Sequence, residues 1–118
     1  MSRKLEFYKT ADGKCPVAEF IDSLPTKVSV KIAWSLKLIQ ETEIVPKTYL
    51  KKLTDTDFYE CRTEMSGNIY RILGFFDDGN LIILTNGFQK KTQKTPSNEI
   101  EICRQRKADY LKRKGAKK

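Results

Sequence analysis

The sequence has no histidine, and it has little cysteine and little glycine. Without imidazole there is no Ser-His-Asp triad and no histidine metal ligand. Cys15, Cys61 and Cys103 are widely spaced and odd in number, which argues against a disulfide framework or a CxxC zinc site and favours a reducing cytoplasm. The six glycines are scattered, so there is no glycine-rich phosphate loop. Any chemistry must therefore use Lys, Arg, Tyr, Glu, Asp, Cys or backbone groups.

Long hydrophobic runs are missing as well. No apolar stretch approaches the ~18 residues of a membrane span, and the polar N-terminus predicts no secretory signal peptide. Hydrophobic residues make up 39% and charged residues 32% of the 118 residues, which is typical of one globular domain. We therefore expect a cytoplasmic protein without membrane association, with one domain over residues 1–112 and a basic, disordered tail over residues 113–118.

Positive charge is the first indication of function. Lys and Arg number 23 against 15 Asp and Glu, a formal net charge of +8. Residues 104–118 hold eight basic residues and one acid, and residues 89–95 add three lysines, so the rest of the chain is slightly acidic. A nearly neutral body with a basic C-terminal quarter indicates a polyanionic partner such as nucleic acid, although a solvated basic helix has the same composition.

Periodicity divides the chain into helices and strands. Residues 3–9 alternate as a strand, and two amphipathic helices follow, the second over residues 26–42. Trp34 lies within this helical pattern, so we expect it to pack rather than to bind a ligand. Residues 58–65, 69–76 and 81–88 then predict three strands joined by tight turns, and a basic helix ends the chain.

The element order β-α-α-β-β-β-α predicts an α+β fold. We expect a small, twisted, mainly antiparallel sheet with the N-terminal strand at one edge. The first two helices form a hairpin on one face, and the basic C-terminal helix covers a flank or an edge.

Two arginines on neighbouring strands are predicted to share one face of this sheet. Depending on which two residues form the first turn, Arg71 faces either Arg62 or Glu64, and in both registers it lies on the side of Glu60. A two-residue turn in the next hairpin places Asn86 opposite Arg71. These arginines, the carboxylates and the lysines beyond the third strand would then line one concave surface; the alternative is a structural Glu–Arg ladder on an exposed face.

Three stretches of the sequence resemble a known family. Residues 58–62 read FYECR, residues 67–72 read GNIYRI, and residues 86–96 read NGFQKKTQKTP and precede a basic helix that contains a tyrosine. Together they resemble the phage-derived HigB-like branch of the RelE/ParE toxins of type II toxin–antitoxin systems. The resemblance implies a RelE-like fold and ribosome-dependent cleavage of mRNA without a metal or other cofactor. It also implies a small helix-turn-helix antitoxin as partner, besides the ribosome and mRNA.

Metal-free RNA cleavage moves the ribose 2′-OH onto the adjacent phosphate. It needs in-line geometry, a base, an acid and cations around the crowded phosphorane. Arginine suits the last role because its planar fork matches two phosphate oxygens, so Arg62 and Arg71 are the candidates. A lysine serves as a base only where burial or neighbouring cations lower its pKa. Lys91 is our first candidate for proton transfer, with Lys90 beside it.

Other basic and polar residues are candidates for holding RNA or the ribosome through phosphate contacts. They are Lys51, Lys52, Gln89, Lys94, Arg104 and Lys107. Lys51 and Lys52, which precede the predicted strand over residues 58–65, are also second-choice candidates for acid–base chemistry. Glu60 or Glu64 is a further candidate base, although pairing to arginine would weaken it in that role.

Two other functions stay open on the sequence. The ParE side of the superfamily inhibits gyrase instead of cutting RNA, and the fold alone does not decide the target. A non-catalytic RNA-binding domain with a solvated, charged sheet face is the third possibility.

Overall fold

One five-stranded sheet organises the chain, and helices cover both of its faces. The computed structural model describes residues 3–90 and 94–116, with the backbone alone at positions 90 and 116. The elements are β1 (Lys4–Phe7), α1 (Pro16–Asp22), α2 (Thr26–Glu41), β2 (Leu50–Lys52), β3 (Phe58–Met65), β4 (Asn68–Asp77), β5 (Leu81–Lys90) and α3 (Ser97–Ala116). The strand order is β1-β5-β4-β3-β2, and only β1 and β5 run parallel.

The predicted α+β fold is confirmed, including the edge position of β1, the N-terminal helical pair and the C-terminal basic helix. Strand β2 is an addition, because it lies in a segment that the sequence predicts to be a connection. No helix within the described ranges combines the length and the apolarity that crossing a membrane requires.

Alternation along the strands gives the sheet two apolar faces, each with its own core. Helices α1 and α2 pack on the first face, whose buried residues include Val17, Ile32, Ile39, Ile72 and Leu84. Helix α3 packs on the second face, whose buried residues include Phe58, Leu73, Phe75, Ile83 and Cys103. The prediction that the basic helix covers a flank or an edge is therefore wrong, since its narrow apolar stripe is enough to cover part of a sheet face.

The β3–β4 hairpin has the first of the two predicted registers. Ser66 and Gly67 form a two-residue turn with φ values of 52° and 79°. Positive φ at both positions matches the right-handed twist of the flanking strands. Arg62 consequently pairs with Arg71, and both arginines lie on the second face of the sheet.

The β4–β5 hairpin differs from its prediction. Three residues, rather than two, separate the paired ends of the strands, and a bulge at Thr85 shifts the register again. Arg71 therefore pairs with Phe88, and Asn86 pairs with Leu73. The predicted opposition of Asn86 and Arg71 is wrong because each irregularity adds one residue to the β5 side.

Helix α1 sits directly on β5 at Gly87. A Cβ atom at this position would lie 2.3 Å from the ring of Phe20, so only glycine lets the ring approach the strand so closely. This contact helps to fix the helical pair on the first face.

Helix α3 continues to Ala116, four residues beyond the end of the domain that the sequence predicts. Arg113 donates to the carboxylate of Asp109 and to the carbonyl of Lys9, and Lys114 donates to Asp77 at 2.9 Å. Residues 113–116 are thus helical where the sequence predicted disorder, and positions 117 and 118 lie outside the described residues.

Candidate anion-binding site around Arg71

A buried ion pair lies at the centre of the second face. Arg71 donates from Nη1 to Glu60 Oε2 at 2.6 Å, and the two side chains are only 3% and 1% exposed. Thr95 donates from Oγ1 to the other carboxylate oxygen of Glu60 at 2.8 Å. Both oxygens of Glu60 therefore accept hydrogen bonds, and Thr95 ties the segment before α3 to the sheet.

Two donors of Arg71 have no acceptor in the described part of the chain. Nε and Nη2 are buried and have no hydrogen-bond partner among the described residues. They lie on the same edge of the planar guanidinium, the edge that offers two parallel N–H groups to a phosphate or a carboxylate. A buried donor without an acceptor costs about 1–3 kcal/mol, and more for a charged group. This edge is therefore suited to an anion that reaches Arg71.

Arg71 lines a cavity of about 240 Å³ between β2 and the start of α3. The volume corresponds to about eight water molecules at roughly 30 Å³ each. Its lining residues are Lys51, Leu53, Thr54, Glu60, Arg71, Lys94, Thr95 and Ile100. Lys51 and Lys94 are exposed and form the rim of this Arg71 cavity, whereas the buried Arg71 lies deeper in it. Three cations outnumber the single carboxylate, which favours an anionic ligand.

Arg62 lies close to the Arg71 cavity but does not line it. Its Nε is 3.7 Å from Glu60 Oε2, and its side chain is 22% exposed. It lines a separate recess of about 60 Å³ with Thr48, Glu64 and Ile69. The prediction of a single pocket lined by both arginines is therefore wrong. Like charges directly opposite each other repel, and Arg71 leans diagonally to Glu60 while Arg62 turns to the hairpin end.

Strand alternation separates the predicted RNA-binding residues. Lys51 and Lys94 line the Arg71 cavity. Lys52 and Gln89 instead pair with tyrosines at positions that face α1 and α2, and the amide of Gln89 donates to Asn68 at 3.1 Å. Lys52 and Gln89 therefore lie on the face opposite the Arg71 cavity, because neighbouring residues of a strand point to opposite faces, and their RNA-binding role stays a prediction.

Arg104 and Lys107 lie on α3, one and two turns beyond the cavity residue Ile100. Both stand over the ring of Phe58, with cation-to-centroid distances of 5.7 and 5.8 Å. Arg104 also pairs with Glu101 at 2.8 Å, although both side chains are about half exposed. These two cations extend the positive surface from the Arg71 cavity along α3.

Of the two lysines predicted for proton transfer, Lys90 and Lys91, only the backbone of Lys90 lies within the described residues. The backbone of Lys90 pairs with Ile69, two positions along from the pair of Arg71 and Phe88. Lys91 lies outside the described residues. Their roles stay predictions.

Bulge residue Thr85 helps to set the position of α3. Because Thr85 is unpaired in the ladder, its carbonyl accepts a hydrogen bond from Arg106 Nη1 at 2.8 Å. Next to it, Asn86 Nδ2 donates to the carbonyl and the carboxylate of Glu99 at 3.1 and 3.0 Å. These contacts hold the first turns of α3 beside Glu60. Sequence reasoning missed the role of Thr95, whose only signal was a Thr-Pro pair before a helix.

A second polar cluster anchors the far end of α3. Asp77 accepts hydrogen bonds from Tyr110 at 2.8 Å and from Lys114 at 2.9 Å. The hydrogen bond from Lys114 holds the pKa of Asp77 below its ordinary value. Burial, together with the hydrogen bond to Asp77, raises the pKa of Tyr110 to about 12. This cluster fixes α3 but lies away from the Arg71 cavity.

The cysteines are poorly placed for chemistry in the cavity. Cys61 follows Glu60 but points to the first face, and burial raises the pKa of its thiol to about 12. In the described part of the chain, no three cysteine or acidic side chains lie close enough to hold a metal ion.

Fold and site together define a class of protein. It is a small α+β protein, compatible with a RelE-like fold, whose antiparallel meander presents a buried arginine to a basic cavity beside a C-terminal helix. Residues 19–108 match the family described as "Phage derived protein Gp49-like (DUF891)", and the chain belongs to this family. The Gp49-like proteins are a RelE/HigB-like toxin family associated with toxin–antitoxin systems, so membership implies an antitoxin partner. No curated protein matches the chain.

Proposed function

We propose that this protein is the toxin of a type II toxin–antitoxin pair and acts in the cytoplasm as a metal-independent, ribosome-dependent mRNA endonuclease. The observation that carries the proposal is the edge of Arg71, with two buried donors that meet no acceptor in the described chain, at the floor of a cavity with a lysine rim. Membership of a toxin family supports the biological role, and the chemistry of the cavity supports a phosphodiester substrate.

In the proposed reaction the ribose 2′-oxygen attacks the adjacent phosphorus, and the bond from phosphorus to the 5′-oxygen breaks. The products are a 2′,3′-cyclic phosphate and a free 5′-hydroxyl. The 2′-OH proton passes to a base, and the leaving oxygen takes a proton from an acid. Nε and Nη2 of Arg71 donate to two nonbridging oxygens of the phosphorane, and this contact is stronger in a site of low dielectric than in water.

Glu60 acts as a positioning residue in this scheme. Its bond to Nη1 sets the plane of the Arg71 guanidinium and leaves Nε and Nη2 as the donors for a phosphate. Glu60 is a poor candidate for the base because both its oxygens already accept hydrogen bonds. Lys91 and Lys90 therefore stay the proposed groups for proton transfer.

The cations around the cavity, exposed except for the partly buried Lys107, would hold ribosomal RNA. Lys51, Lys94, Arg104 and Lys107 lie around or beside the Arg71 cavity, where phosphate contacts position a substrate without reading its sequence. The matched pair Lys51→Ala and Lys52→Ala tests this surface, because the two lysines are neighbours on opposite faces. Lys51→Ala should lower the salt slope of ribosome binding by about one, whereas Lys52→Ala should leave it unchanged.

Arg71→Lys is the decisive variant for the chemistry. Arg71→Ala would leave the buried Glu60 carboxylate with only the more distant Arg62 as counter-charge, a loss large enough to prevent folding. Lysine keeps the positive charge but lacks the two-donor edge. We expect cleavage of mRNA on purified ribosomes, measured by primer extension, to fall at least about 100-fold, as when one oxyanion donor is removed. The thermal midpoint of the variant serves as the folding control.

Three results would overturn the proposal. The first is a cleavage rate of Arg71→Lys within about threefold of that of the unmodified protein, because loss of the two-donor edge of the guanidinium should lower the rate far more. The second is growth arrest with intact mRNA and inhibited supercoiling, which would favour the gyrase alternative. The third is efficient cleavage of naked RNA without ribosomes.

A further inference from the structure

A solvent-exposed apolar groove runs along the outer side of α2. Val30 is 63% exposed and Trp34 is 47% exposed, although the sequence pattern predicted that Trp34 packs. The groove has a volume of about 490 Å³. It is lined by Thr26, Lys27, Val30, Lys31, Trp34 and Met65, and we call it the α2 groove.

Trp34 is held in place within the α2 groove. Its ring meets Tyr49 edge to face at a centroid distance of 6.0 Å, and the ammonium of Lys31 lies 4.6 Å from its centre. An aromatic residue that is already ordered loses little conformational entropy when a partner covers it. Partly exposed, ordered tryptophans of this kind are frequent anchors of protein interfaces.

The two charged residues that line the α2 groove, Lys27 and Lys31, are both positive. Residues 26–40 contain Lys27, Lys31 and Lys37 and no acidic residue. Val30 and Trp34 are one helical turn apart, so their side chains lie next to each other along the helix axis. A fitting partner therefore carries apolar residues at i and i+3 or i+4, flanked by Asp or Glu. An amphipathic acidic helix has this pattern.

The α2 groove and the Arg71 cavity are on opposite sides of the sheet. Helix α2 covers the first face with its buried side, whereas Arg71 lies on the second face. The two sites share no lining residue, so a helix confined to the α2 groove would contact none of the residues that line the cavity. RNA is a poor occupant of this groove, because the surface that lines it is almost entirely apolar although two lysines flank it.

We propose that the α2 groove is the docking site of the antitoxin, which binds through an acidic amphipathic helix. The proposal rests on membership of a toxin family and not on mRNA cleavage. The two can therefore fail separately: Arg71→Lys tests cleavage and should leave antitoxin affinity unchanged.

The probe is the protein encoded by the reading frame adjacent to this chain's own gene. Its affinity for the full chain is measured by calorimetry, with Val30→Glu as the test and Leu111→Glu as the matched control. Leu111 is an exposed leucine on α3, 43% exposed, at the other side of the molecule. We expect Val30→Glu to raise the Kd at least tenfold, about 1.4 kcal/mol, and Leu111→Glu to leave it unchanged.

Charge reversal and growth assays complete the test. Lys27→Glu with Lys31→Glu should weaken binding and remove most of its salt dependence. In cells, Val30→Glu should still arrest growth but should no longer be neutralised by the adjacent protein. Unchanged thermal midpoints would show that both variants fold, as expected for exposed positions.

Four results would overturn the proposal. The first is no binding of the adjacent protein to the unmodified chain, and the second is equally tight binding to Val30→Glu. The third is a dimer in light scattering that Val30→Glu separates, which would make the occupant a second copy of the chain. Loss of ribosome binding in Val30→Glu would assign the groove to RNA instead.

Discussion

Replacement of Glu60 by glutamine should destabilise the protein strongly. The variant keeps the shape of the side chain and its contact with Thr95 but leaves Arg71 without its counter-charge. Both members of the pair are at most 3% exposed, so water cannot take over the role of the carboxylate. Breaking a buried pair from one side costs about 3–5 kcal/mol. At roughly 3–6 °C per kcal/mol for a chain of this size, the thermal midpoint should fall by about 9–30 °C.

Urea unfolding provides the assay, and two further variants make it specific. Glu60→Leu combined with Arg71→Met removes both charges and should recover most of the lost stability, because an apolar pair of similar volume often replaces a buried ion pair without loss. Glu64→Gln removes an exposed carboxylate from the same strand and should change the unfolding free energy by less than about 0.5 kcal/mol. A loss below about 1 kcal/mol in Glu60→Gln would refute the buried-pair reasoning. So would a double variant as unstable as the single one.

Three smaller predictions concern the rest of the molecule. A thiol reagent at about pH 8 should modify only Cys15 in the native protein, because Cys61 and Cys103 are both buried. Burial raises the pKa of Cys61 to about 12 and also raises the pKa of Cys103; rapid labelling of more than one thiol in the native protein would contradict this. Lys114 holds the pKa of Asp77 below its ordinary 3.8, so the ionised carboxylate stabilises the folded protein above that pH, and this stabilisation is lost as the pH falls. In thermal melts, the midpoint of Asp77→Asn should therefore approach that of the unmodified protein only in acid. Gly87→Ala should cost about 1–3 kcal/mol in urea unfolding, because a Cβ meets a phenylalanine ring, and an unchanged stability would exclude that contact.

Local features of the sequence were sufficient to predict the elements. The stripe of Val28, Ile32, Leu36 and Ile39 predicted α2 and its buried side, and all four are buried. The turn signal Ser66-Gly67-Asn68 limited the β3–β4 pairing to two registers, each with Arg71 on the face of Glu60. These predictions succeeded because they depend on periodicity and turn chemistry, which act over a few residues.

The candidate site was predicted only in part, because it depends on contacts between distant segments. Thr95 binds Glu60 across 35 positions of sequence, and no local pattern indicates that bond. The three-residue turn and the bulge at Thr85 each shift the register of β5 by one residue. As a result Asn86 pairs with Leu73 instead of Arg71, and its side chain donates to Glu99. Burial of Arg71 likewise follows from the docking of α3, whose thin apolar stripe had suggested a peripheral position.

The order of strands and helices, the surplus of cations and the arginines that could meet a phosphate were all determined by the sequence itself, since each depends on composition or short-range periodicity. Only the tertiary structure decided that one of those arginines is enclosed with a carboxylate while the other faces a separate recess. It also decided which neighbouring lysine faces the cavity. The physical reason is that side chains compete for partners in three dimensions, and the winner depends on register, bulges and the docking of a helix from the far end of the chain.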